Sequence, residues 1–169
     1  MKRNKILFLI IIICLVITGC GHKKPSNKTI KSKDDLNNKS GSMSCTRETT
    51  ANDGIKPSCT YKITYSNGNI LILHSVEKIT TDNTEYLNQY EEAYKKINSY
   101  YANLKYYDTK VIREADSVTR DTTINYDKIN TDKLLALEGE EDNIIVNGKA
   151  KLNKWLKFAR KFGTECHED

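Results

Sequence analysis

Two β-rich runs meet at Asn67-Gly68, and this junction limits the fold more than any other stretch. Cys59-Thr60-Tyr61-Lys62-Ile63-Thr64-Tyr65 alternates apolar and polar residues. After Ser66-Asn67-Gly68-Asn69 comes Ile70-Leu71-Ile72-Leu73-His74-Ser75-Val76. Asn-Gly between such runs marks a two-residue hairpin with a type I′ turn, because both central residues must take positive φ. A regular ladder from that turn pairs Tyr65 with Ile70, Ile63 with Ile72, Tyr61 with His74 and Cys59 with Val76. These eight side chains then share one core face. His74 reads as a core histidine. Leu71 and Leu73 fall on the opposite face, across from Thr64 and Lys62, and need cover from another element or a partner.

The rest of the domain follows from periodicity. Met43 to Thr50 reads as a short first strand, and Asn52-Asp53-Gly54 as a turn. Asp82 to Leu104 reads as the main helix, with Tyr86, Tyr90, Ala93, Ile97, Tyr100 and Leu104 recurring at spacings of three and four. Asp82 with Glu85 resembles a capping box. Tyr106 to Arg113 and Val118 to Tyr126 form a second antiparallel pair around Glu114-Ala115-Asp116-Ser117, with Val111, Ile112, Val118 and Ile124 inward. Thr131 to Leu137 is a short helix capped by Thr131. Asn147 caps a last helix reaching about Phe162, with Leu152, Trp155, Leu156, Ala159 and Phe162 as its apolar stripe and Gly163 as its stop. That basic amphipathic helix packs on the sheet or lies on a membrane. The fold class is α+β: an antiparallel sheet of about four to five strands built from two hairpins, a long helix across it and a C-terminal helix. Seven of the ten tyrosines fall between Tyr86 and Tyr107 and rim the core, with a sugar- or peptide-binding cluster as the alternative. The expected interaction surface is a patch of Leu71, Leu73, Tyr94 and Tyr101.

The front of the chain carries an address. Lys2, Arg3 and Lys5 precede an unbroken apolar run from Ile6 to Ile17. Thr18, Gly19 and Cys20 follow at once. Charge, apolar core and small residues in that order make an export signal. Twelve residues rise only ~18 Å as a helix, against ~30 Å of hydrocarbon, too short for a permanent span. Ile17-Thr18-Gly19-Cys20 matches the lipobox pattern of bacterial lipoprotein signals: a branched apolar residue, a small residue, Gly or Ala, then Cys. Cys20 is the expected lipidation site, acylated as in other lipoproteins (palmitate among the usual chains), with residues 1–19 removed. Two acyl chains anchor stably where one is marginal. Residues 20–44 hold six Lys against Asp34 and Asp35 and read as a flexible tether. Residues 45–169 hold 18 Lys plus Arg against 20 Asp plus Glu and read as one domain. The basic balance therefore belongs to the membrane end. The folded part has no net positive field for nucleic acid.

Cys45, Cys59 and Cys166 remain in that domain, and three thiols cannot all pair internally. Cys45–Cys166 is favoured, since it would close a loop of more than a hundred residues. That leaves Cys59 on an inward strand face as a small hydrophobe. Cys45–Cys59 is the alternative. The spacing suits neither a redox CxxC nor a zinc ribbon. His22, His74 and His167 form no metal pair. The acidic run Glu138-Gly139-Glu140-Glu141-Asp142 lacks the ligand spacing of a calcium loop. No metal or cofactor is expected.

The order of lipobox, hairpin, long helix, second hairpin and terminal helix resembles the YehR-like family of small bacterial lipoproteins. So do Tyr61-Lys62-Ile63-Thr64-Tyr65-Ser66-Asn67-Gly68-Asn69 and Ile124-Asn125-Tyr126-Asp127-Lys128-Ile129-Asn130. The likeness spans most of residues 45–166. It implies an antiparallel sheet with a helix across it, and it carries no catalytic residue over. Cys45 and Cys166 resemble terminal cysteines of Gram-positive relatives. The acidic loop and the Trp155 region depart from the family pattern. The expected function is a lipid-anchored extracytoplasmic module of the cell envelope, monomeric and non-enzymatic, binding an unidentified envelope protein or ligand. The alternatives are a small envelope enzyme or a solute- or peptide-binding component. Against an enzyme, the sequence lacks G-x-S-x-G, H-E-x-x-H and P-loop motifs and a Cys–His arrangement.

Overall fold

Asn67 and Gly68 take φ of 48° and 71°, the left-handed pair that a type I′ turn needs. On either side run β2 (Lys56–Ser66) and β3 (Asn69–Thr80). The computed structural model describes residues 36–49, 54–139 and 143–169, apart from the side chain of Asn37. The lipobox, most of the tether, Asn52-Asp53 and the acidic positions 140–142 lie outside the described residues.

The other strands are β1 (Ser40–Glu48), β4 (Tyr107–Arg113), β5 (Ser117–Asn125) and β8 (Glu165–Glu168), with a small hairpin of β6 (Ile145–Val146) and β7 (Lys149–Ala150). Six strands form one antiparallel sheet in the order β4-β5-β3-β2-β1-β8. The fold is α+β, and the sheet exceeds the expected four to five strands. The extra strand is β8, whose residues Glu-Cys-His-Glu carry no apolar alternation. The domain also begins earlier than Cys45: Leu36 and Met43 are buried.

The hairpin departs from the regular ladder. Tyr65 pairs with Ile70 as a plain type I′ turn dictates, but Thr64 then pairs with Ile72 and Leu71 is left as a bulge. The Leu71 carbonyl turns aside to accept the Tyr126 amide at 2.8 Å. Beyond the bulge every partner moves by one, so Ile63 faces Leu73, Tyr61 faces Ser75 and Cys59 faces Glu77. Side chains alternate in a strand, so a one-residue slip exchanges its faces. Leu73, Ser75, Glu77 and Ile79 turn to the core side, while Ile72, His74 and Val76 turn away from it. His74 is therefore an outer-face residue and not a core histidine.

Helix α1 (Thr84–Tyr101) crosses the β3-β5-β4 half of the sheet. Its cap is Asn83 and not Asp82: the Asn83 side chain accepts from the amides of Glu85 and Tyr86. Its buried stripe is Leu87, Tyr94, Ile97 and Tyr101, and Tyr100 is exposed. Ile112 also points outward, on the face opposite Val111. Helix α2 (Thr131–Glu138) is capped by Asn130 in place of Thr131. Asn147 opens no helix: with Gly148 it forms the positive-φ turn between β6 and β7. Helix α3 (Leu152–Lys161) buries Leu152, Trp155, Leu156 and Ala159. Trp155 stands edge-on to Tyr61 of β2, with centroids 5.1 Å apart, so the helix packs on the same sheet face as α1. No helix among the described residues is long and apolar enough to cross a membrane.

Cys45 of β1 and Cys166 of β8 are directly opposed and joined as a disulfide across 121 residues of sequence, and Cys59 lies buried outside the bridge. Gly41 lets the Tyr65 ring pass over β1, since an added Cβ would sit 3.1 Å from the Tyr65 hydroxyl. That hydroxyl donates to Glu168 of β8 at 2.9 Å. Replacing Cys45 and Cys166 together by Ser should cost about 4–5 kcal/mol, read as a lower urea midpoint. Alkylation without reductant should label only Cys59 within residues 45–169; three labels would rule the bridge out.

Candidate functional site

The core side of β3, β5 and β4 carries polar residues where a sheet interior is normally apolar. One row across the strands is Ser75, Thr122 and Thr109; the next is Glu77, Arg120 and Val111. Arg120 is 4% exposed, and its donors are distributed among three elements. Its Nε donates to Asn98 Oδ1 of α1 at 2.8 Å and its Nη2 to the Tyr107 hydroxyl of β4 at 3.1 Å. Its Nη1 lies 3.5 Å from Glu77 Oε2 of β3. Asn98 Oδ1 also accepts from Thr109 Oγ1 at 2.9 Å, and Thr109 meets Thr122 at 2.9 Å. Tyr107 stacks on Tyr101 at 4.3 Å with rings 4° from parallel. Tyr101 donates to Glu138 Oε1 at 3.3 Å, and Glu138 Oε2 accepts from Asn143 at 3.0 Å. A continuous polar seam thus runs from β3 through β5, β4 and α1 to the end of α2.

Burial governs the charges in this seam. It raises the Glu77 carboxyl above its ordinary 4.5, although Arg120 beside it and Arg47 pull it back. Burial raises Glu138 as well, against the hydrogen bonds from Asn143 and Tyr101 and the charge of Arg120. The Tyr107 hydroxyl is pushed up to about 12 by burial, with Arg120 opposing. Tyr101 and Tyr126 are raised further by burial and by the nearby Glu138 charge. Every tyrosine here stays a neutral donor at physiological pH.

Chemically the seam is a clamp. The guanidinium donors of Arg120 are engaged by the protein, and the seam contains no Ser, Thr or Cys held by a histidine or carboxylate base. Among the described residues no group of three His, Cys, Asp or Glu side chains is arranged to hold a metal ion.

The opposite face of the sheet is uncovered by any described helix. It presents Ser42, Ser44, Thr46, Ser58, Thr60, Thr64, Thr119 and Thr123 between charged residues. His74 Nε2 meets Asp121 Oδ1 at 2.8 Å, and Lys110 meets Asp121 Oδ2 at 3.2 Å. Burial acts to raise the Asp121 carboxyl, but the bonds and charges of His74 and Lys110 outweigh it and hold it low. A shallow depression of about 340 Å³ lies over Ser44, Thr46, Thr60, Lys62, His74 and Val76.

The expected interaction surface does not form. Leu73, Tyr94 and Tyr101 are buried, at 7%, 1% and 3% exposure, and Leu71 is half-buried in the bulge. Its physical cause is the register: the bulge turns Leu73 inward, and α1 is rotated by about one position from the predicted stripe. Arg120 was readable in the sequence. Alternation anchored at inward Val118 and Ile124 puts Arg120 and Thr122 on the core side.

No protein-family model matches the chain, and no curated protein is significantly similar to it. The NMR structure of the E. coli YehR protein superposes with a TM-score of 0.52, covering 76% of this chain and 91% of that one at 14% identity. The chain has a YehR-like fold. An NMR structure of a protein from Streptococcus pneumoniae TIGR4 covers 90% of this chain and 97% of that one at 16% identity, with a TM-score of 0.43, too loose to inform the fold further.

Within this YehR-like fold the seam sets stability and its pH dependence. Arg120→Met leaves Glu77 without its partner and should cost about 3–5 kcal/mol, whereas the pair Arg120→Met with Glu77→Leu should recover most of that loss in chemical denaturation. Glu138 binds its proton more tightly folded than unfolded, so its contribution to stability falls as pH rises from 4.5 through its raised value. Glu138→Gln should flatten that slope, measured as unfolding free energy against pH; an unchanged slope would refute the assignment.

Proposed function

We propose that this chain is a lipoprotein anchored through Cys20, whose folded domain works on the extracytoplasmic face of the cell membrane. Its role there is that of a non-enzymatic binding or accessory module of the envelope, acting without a cofactor. The observation that carries the reading is the Cys45–Cys166 bridge. Structural disulfides persist in oxidising compartments and are rare in the cytosol. The lipobox at Ile17-Thr18-Gly19-Cys20 gives the same address by a separate route. Fifteen residues, 21–35, separate Cys20 from the first described residue, a length suited to lifting a domain off a lipid surface.

The polar seam supports the non-enzymatic part of the reading. Its charged and hydroxyl groups answer one another across five elements, as in a scaffold. The open hydroxyl-rich sheet face is the natural surface for a ligand or partner. In membrane fractionation the wild-type chain should sediment with the membrane and Cys20→Ala should not; retention of the variant would mean that another element anchors the domain. Intact mass of the native chain should begin at Cys20 and carry fatty acyl groups.

A further inference from the structure

β4 is the last strand of the sheet, and among the described residues nothing pairs with its far edge. The backbone there is set to pair. At one end the Tyr106 carbonyl accepts the Asn125 amide at 3.0 Å, and at the other the Glu114 amide donates to the Ser117 carbonyl at 2.9 Å. Even-numbered positions thus turn N–H and C=O toward β5. Alternation sends those of Tyr107, Thr109, Val111 and Arg113 to the open edge. Natural edges are blunted by proline, by bulges or by repelling charge. β4 contains no proline, and its register against β5 runs without a break.

Its charges do not repel a copy of itself. The outward side chains are Asp108, Lys110 and Ile112, all exposed. Ile112 is 40% exposed, and Tyr106, just ahead of the strand, is 47% exposed. An acid and a base two residues apart can match their own reverse. Consider two copies of β4 laid antiparallel about a two-fold axis, in the registers that keep most of the strand paired. Centring on Lys110 sets that lysine against itself. Centring on Val111 sets Asp108 against Glu114. Centring on Thr109 sets Asp108 against Lys110 of the copy, and symmetry repeats the pair. The same register opposes Ile112 to Tyr106 and Tyr107 to Val111, each twice. It also lets the edge groups of Thr109 exchange both hydrogen bonds with those of the other Thr109. At the margin Arg113 falls opposite Lys105, and Arg113 is already answered by Glu91 at 3.6 Å.

We propose that β4 pairs with β4 of a second copy of this chain, antiparallel and centred on Thr109, as a two-fold dimer. The sequence led to the expectation of a monomer; the edge strand is what overturns it. The axis stands perpendicular to the sheet, so two six-stranded sheets become one. Their hydroxyl-rich outer faces join on one side, and both α1 helices lie on the other. This goes beyond the envelope reading and does not depend on it.

The test uses the full chain in density-matched detergent micelles, read by sedimentation equilibrium. Wild type should dimerise with a Kd at or below about 100 μM. Asp108→Lys and Lys110→Asp each oppose like charges twice, and each should weaken the dimer about tenfold. An equimolar mixture of the two variants should recover wild-type affinity within about threefold, since each supplies the charge the other lacks. A measurement on the wild-type chain needs no variant to fold: carbodiimide coupling of isotopically distinct copies should join Asp108 of one to Lys110 of the other. The interface is refuted if wild type stays monomeric, or if the coupled copies lack that link. It is refuted equally if the dimer ignores both charge reversals, which would put the contact on another face, or if folded variants fail to rescue each other. A monomer that still reaches the membrane through Cys20 sinks this interface alone.

Discussion

One extra residue in β3 decides what this sheet encloses. Leu71 is squeezed out of the ladder, and the strand beyond it is shifted by one position against β2. Without that shift Val76 would pair with Cys59 on the core side and Glu77 would face water. With it, Glu77 sits beside Arg120, and Ser75 sits beside Thr122. The bulge is held from outside the hairpin, because its carbonyl accepts the Tyr126 amide at the end of β5. The two hairpins therefore set each other's register. A buried charge pair is a poor source of stability and a strict judge of geometry. Any register that turned Glu77 away from Arg120 would strand a guanidinium in the core.

The sheet edges are treated differently at the two ends. At one end β8 covers β1 and is pinned by the Cys45–Cys166 bond and by the reach of Tyr65 to Glu168. It is four residues long with a glutamate at each end, which discourages a further strand from adding. At the other end β4 alternates half-buried residues with exposed Asp108, Lys110 and Ile112. Arg113 there is drawn back to Glu91 of α1 at 3.6 Å. Charge on both edges discourages any further strand that does not match it.

Much of this architecture is legible in the residues, and the failures have definite causes. Asn67-Gly68 fixes the hairpin because few other pairs accept two positive φ angles. The second hairpin and the stripe of α3 follow from plain periodicity. The register beyond Ile70 was not legible, since an Ile-Leu-Ile-Leu run alternates equally well in either phase and only a contact with distant Tyr126 selects one. The cap of α1 moved from Asp82 to Asn83 because either side chain suits an N-cap and tertiary packing chose the phase of the helix. That one-position rotation took Tyr94 and Tyr101 from the surface to the core. β8 carried no pattern of its own; its place follows from the bond to Cys45. The φ of Tyr106, 69°, was hidden for another reason: nothing in a sequence reports that a tyrosine occupies a glycine-like conformation.

The two faces of the sheet divide the work between them. The core face spends its polar groups on one another, so hydrogen bonds and an ion pair tie β3, β4, β5, α1 and α2 together. The outer face turns its hydroxyls, His74 and Lys62 toward solvent. The tied interior and the polar exterior are linked through the same bulge, which sends Glu77 inward and His74 outward in one step. A regular hairpin would have turned His74 and Lys78 into the core and left Leu71, Leu73 and Ile79 on the open face.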